Sequence, residues 1–61
     1  MLKLTVRSTE SGKSLYIRAK NKLEQENLSK ELEVLVSNSA YINDKQRIIE
    51  IIANFFTLDF K

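Results

Sequence analysis

A chain of 61 residues with no cysteine, histidine or proline has room for one domain, 1–61. It lacks the disulfides and zinc sites that usually support so small a core, so a partner is the remaining source of extra burial. Its 43% apolar and 30% charged residues are the composition of a folding chain rather than a disordered tail. The net charge of +2 is unevenly spread: residues 1–22 carry six cations against one anion, a net of +5, and residues 23–61 carry four against seven, a net of −3. The longest apolar runs, such as Ile51-Ile52-Ala53, are far short of the roughly 20 residues of a membrane span. Met1-Leu2-Lys3-Leu4 leads into an alternating segment with no apolar signal core, so the expected location is cytoplasmic, with no membrane partner.

Along the chain, Leu2-Lys3-Leu4-Thr5-Val6-Arg7 alternates strictly, as a half-buried strand does. Ser14 to Lys20 alternates again, with Leu15, Ile17 and Ala19 on one side, and the single glycine, Gly12, lies between. Glycine there supplies the positive φ common in hairpin loops, which predicts an antiparallel hairpin of residues 2–8 and 14–20. Asn21 followed by Glu24 has the form of a capping box, and Leu28, Leu32, Leu35 and Val36 continue at helical spacing. Asn27 is an alternative helix start. Residues 32–36 are branched enough for a strand, with helix the preferred reading. Ser37-Asn38-Ser39 reads as a stop. Asn43 or Asp44 then caps a second helix with Ile48, Ile51, Ile52 and Phe55 on one stripe, widened by Ile49 and Phe56. The alternating end, Thr57 to Lys61, suits a short strand or the docking of Phe60. The expected fold is α+β, a small ββαα unit whose N-terminal antiparallel hairpin packs on two helices.

The residue inventory argues against an enzyme, with no catalytic residues, metal site or cofactor expected. Histidine, the commonest general base, and cysteine, the strongest protein nucleophile, are both missing. Glu24, Glu31, Glu33, Asp44 and Glu50 fall on polar helix faces or at a cap, where solvated carboxylates are ordinary. Ser11-Gly12-Lys13-Ser14 has the ending of a phosphate-binding loop, but the first glycine of that motif is absent and a strand is expected to follow it, where the motif needs a helix. Two surfaces remain. Ile48, Ile49, Ile52, Phe55, Phe56 and Phe60 crowd an apolar stripe into the last third of the chain and are the candidate protein interface. Lys3 and Arg7 beside Tyr16, Arg18 and Lys20 would line the outer face of the hairpin, a basic ribbon with an aromatic, which is the candidate nucleic-acid surface.

The segment Ile48-Ile-Glu-Ile-Ile-Ala-Asn-Phe-Phe-Thr-Leu-Asp-Phe60 resembles the tail assembly chaperones of siphophages from Gram-positive hosts. Those small proteins often close an apolar helix with an aromatic, then Phe-Thr and an acidic residue, matched here by Phe56, Thr57 and Asp59. The chain departs from them in lacking a short glycine-containing link before Phe-Thr. The resemblance implies a phage or mobile-element protein, opening with a hairpin, that coats a partner and recruits other subunits without catalysis. The overall expectation is a protein-binding adaptor or assembly module that forms homo-oligomers. The alternatives are a small nucleic-acid binder and an inhibitor of a host or defence protein.

Overall fold

A computed structural model describes residues 2–39 and 44–61. Among these residues the chain forms, in order, β1 (Leu2–Val6), α1 (Gly12–Gln25), α2 (Ser29–Ser39), α3 (Lys45–Ile52) and β2 (Phe56–Phe60). The architecture is a small α+β domain, but its sheet is not the expected hairpin. β1 pairs with β2 in parallel, Leu2 opposite Phe56 and Val6 opposite Phe60, and parallel partners need the long crossover that the helices provide.

The segment expected to return as the second hairpin strand is instead the first half of α1. A turn closed by the Glu10 N–H on the Arg7 carbonyl, at 3.2 Å, brings the chain to Ser11. Its hydroxyl accepts from the Ser14 N–H at 3.1 Å, an N-cap that satisfies one of the orphan donors of a new helix. Gly12 therefore sits in the first turn of a helix, and no glycine among the described residues has positive φ. Leu15, Ala19 and Leu23, at intervals of four, are fully buried, whereas Ile17, inward in the alternating pattern, is 43% exposed. Asn21 lies inside this helix rather than capping the next.

Asn27 is where the chain turns. It is the one non-glycine among the described residues with positive φ, 59°. Its N–H donates to the Glu24 carbonyl at 3.1 Å and that of Leu28 to the Leu23 carbonyl at 3.0 Å. This is the Schellman pair of bonds, and Leu28, the residue past the turn, packs against the buried cluster to which Leu23 belongs. α2 then spans residues 32–36 as a helix and continues through Ser37-Asn38-Ser39. The Ser37 hydroxyl and the Asn38 amide donate to the Val34 carbonyl at 3.1 and 2.7 Å, so their competing hydrogen bonds are made within the helix. Asp44 caps α3 by accepting from the Gln46 N–H at 3.0 Å; the alternative cap, Asn43, lies outside the described residues.

One buried cluster draws on every element: Leu4 and Val6, Leu15, Ala19 and Leu23, Leu35, Ile48 and Ile52, and Phe56. The Cα radius of gyration, 10.3 Å, matches the roughly 10.5 Å of a single compact unit of this length. The helices lie against one face of the sheet, the face of Leu4, Val6 and Phe56. By strand alternation the opposite face carries Lys3, Thr5 and Arg7 beside Thr57, Asp59 and Lys61.

Candidate protein interface

The two outer edges of this sheet differ. The Lys61 N–H donates to the Val6 carbonyl at 2.9 Å and the Ser8 N–H to the Lys61 carbonyl at 3.0 Å. Backbone groups point alternately to the two sides of a strand. Leu2, Leu4 and Val6 therefore face β2, while Lys3, Thr5 and Arg7 turn their N–H and C=O to the outer edge of β1. On β2, Thr57, Asp59 and Lys61 face β1, and Phe56, Leu58 and Phe60 turn theirs outward.

Side chains occupy much of the β1 edge. The Arg18 guanidinium, reaching from α1, donates to the Thr5 carbonyl at 2.9 Å and to both oxygens of Glu10 at 2.8 Å. Glu10 in turn accepts from the Arg7 N–H at 3.3 Å and the Ser14 hydroxyl at 3.2 Å. The Lys45 ammonium donates to the Arg7 carbonyl. The Glu10 side chain is only 4% exposed. Burial pushes its carboxyl upward, but the hydrogen bonds from Arg18, Arg7 and Ser14 and the charge of Arg18 outweigh this and hold it below the ordinary value. This cluster also answers the phosphate-loop reading. A helix does follow Ser11-Gly12-Lys13-Ser14, contrary to the expected strand. Yet Arg7 stands where the motif has its first glycine, and the Glu10 carboxylate already takes the Ser14 hydroxyl that such a motif keeps for its ligand.

The β2 edge has no comparable cover among the described residues: no side-chain hydrogen bond there reaches Leu58 or Phe60. The strand is positioned by a short link. Asn54 donates its side-chain amide to the Ile51 carbonyl at 3.1 Å, and the Phe55 N–H donates to the Ile52 carbonyl at 2.9 Å, so α3 closes tightly and β2 starts at Phe56. At the far end of the strand, Phe60 is 63% exposed and borders a recess with Ile49 and Val6.

The apolar stripe expected as an interface is divided by the fold. Ile48 and Ile52 are fully buried and Phe56 is 2% exposed, so these three are core and not available to a partner. Ile49 and Phe55 are half-buried, and Phe60 alone of the six is largely exposed. The basic ribbon is taken apart as well. Lys3 and Arg7 lie on the open sheet face, with Lys61 as a neighbour that the sequence reading omitted. Tyr16, Arg18 and Lys20 lie on α1. Tyr16 packs against the core, Arg18 is held by Glu10, and Lys20 lies 3.8 Å from Glu24. Sequence reasoning missed Glu10 and Arg18 as the cover of β1; the available cue was the Ser11 cap with Leu15, Ala19 and Leu23 at helical intervals.

The fold and this edge define a class: a small α+β domain with a two-stranded parallel sheet, helices on one of its faces and, among the described residues, no side-chain hydrogen bond on the outer edge of β2. No protein-family model, curated protein or solved structure matches the chain.

Proposed function

We propose that this chain is a non-enzymatic protein-binding module, an adaptor or assembly element that acts by contact. The observation that supports it is the outer edge of β2, with the backbone groups of Leu58 and Phe60 directed outward and the Phe60 ring exposed beside them. An uncovered strand edge is a template for another strand: main-chain hydrogen bonds supply affinity and the flanking side chains supply selectivity. The residues behind the resemblance to tail assembly chaperones, Phe56, Thr57 and Asp59, lie on this strand, so an assembly role would use the same edge. The basic residues favour nucleic acid less, because Arg18 spends its charge on Glu10.

The test is light scattering coupled to size-exclusion chromatography at low and high salt, with and without a mixed-sequence DNA duplex. The expected result is a particle mass that DNA does not change at either salt. Co-elution with DNA at low salt, released at high salt as phosphate contacts require, would overturn the reading and point to Lys3, Arg7 and Lys61.

A further inference from the structure

We infer that the partner of the β2 edge is a second copy of this chain, joined antiparallel, β2 beside β2, in one continuous four-stranded sheet with Leu58 at the two-fold axis. This rests on the protein-binding reading above and names the occupant. The first support is the asymmetry of the edges. Arg18, Glu10 and Lys45 take the Thr5 carbonyl and the Arg7 carbonyl and N–H at the outer edge of β1, so among the described residues β2 has the more open edge, and a pairing of β2 with β2 closes after two chains instead of growing into a fibre. The second is strand pairing, because in a two-stranded sheet β2 is hydrogen-bonded on one side only, and a strand on its other side satisfies the backbone groups that its edge leaves open.

The third support is the sequence of β2, which is complementary to itself in this register. The groups directed outward belong to Phe56, Leu58 and Phe60. An antiparallel two-fold at Leu58 sets Leu58 opposite its copy and Phe56 opposite Phe60, so all three residues pair, giving about six backbone hydrogen bonds. A two-fold at Phe60 leaves Leu58 beyond the end of the partner strand. In the Leu58 register Phe56, whose ring stays in the core, contributes only its backbone groups, and the free Phe60, 63% exposed, is carried onto the flank of the partner's sheet, where its ring loses contact with water. On the open face Thr57 falls opposite Asp59, a hydroxyl donor facing a carboxylate. Lys3 lies beside Thr57 within each copy, so each Asp59 joins a row that ends in the other copy's Lys3. No two like charges stand directly opposite.

The experiment uses the full chain, which contains no cysteine. Thr57 and Asp59 are both exposed, and in this register their Cα atoms lie about 4.5 Å apart across the two-fold, within disulfide range. Mixing Thr57→Cys with Asp59→Cys in a glutathione redox buffer should give the mixed disulfide dimer as the main product, with about tenfold less covalent dimer from either variant alone. Phe60→Pro removes the exposed ring and an outward N–H while leaving the β1 ladder intact. It should weaken the dimer at least about tenfold in light scattering, with an unchanged far-UV circular dichroism spectrum. Equal cross-linking in all mixtures, no cross-linking, or a dimer indifferent to Phe60→Pro would overturn the inference. If Phe60→Pro loses its helical spectrum, the cysteine pairs decide alone. A wild-type chain that is monomeric and ignores DNA ends self-pairing but leaves the protein-binding reading standing; DNA binding ends that reading itself.

Discussion

Glu10 and Asn27 each carry a local structure that no neighbour can supply. The Glu10 carboxylate joins the β1 edge, the first turn of α1 and Arg18. Replacing it by Gln keeps the shape and removes charge-assisted hydrogen bonds, for an expected cost of about 1–3 kcal/mol in urea unfolding at neutral pH. The pH dependence has a definite sign. Because its folded value lies below the ordinary 4.5, the stabilisation is fully present above that value and is lost as pH falls through the lower folded one. Urea titrations in that acid window should show a shallower pH slope for Glu10→Gln than for wild type; an unchanged slope would mean Glu10 does not set the acid limb. Asn27 holds φ at 59°. Asn27→Gly should be neutral or stabilising and Asn27→Val should cost about 1–2 kcal/mol, since a Cβ-branched residue resists the left-handed region. Thermal melts of the two variants check this, with the opposite order expected if the turn relaxes.

At the scale of elements, the same apolar residues serve different masters. The Leu15, Ile17, Ala19 alternation is a strand pattern and Leu15, Ala19, Leu23 is a helix pattern; the two share Leu15 and Ala19, and the Ser11 cap breaks the tie. Helix α3 was the most legible, because Asp44 and the Ile48, Ile52 spacing both point to it. Its role was not legible, since helical periodicity says which face is apolar but not what covers it. Ile48 and Ile52 therefore read as interface and prove to be core. Ile52→Ala should cost about 2–5 kcal/mol, comparable with the whole stability of roughly 3–5 kcal/mol available to so small a core. The expected outcome is a melted domain by circular dichroism. Val34→Ala, at a position 44% exposed in α2, should change stability by no more than about 0.5 kcal/mol. A folded Ile52→Ala protein that only dissociates would restore that residue to the interface.

For the whole molecule, the strand pair links the two ends of the chain, Leu2 to Phe56 and Val6 to Phe60. If two copies share the β2 edge, stability depends on concentration by mass action. The wild-type melting temperature should rise as protein is raised from micromolar to millimolar, while that of Phe60→Pro stays flat. Identical behaviour of the two would remove the edge from the account. The sequence by itself determined that this is a small α+β chain, that β1 alternates, that a cap at Asn43 or Asp44 precedes the helix of Ile48 and Ile52, and that the final residues suit a strand. Each of these follows from local periods and caps. Only the tertiary structure decided that β1 pairs with the distant β2 in parallel, that Arg18 and Glu10 cover one sheet edge, and that Ile48, Ile52 and Phe56 are core. Those outcomes depend on which apolar faces meet across the chain between Val6 and Phe56, and pairing of that range leaves no mark in the spacing of either strand.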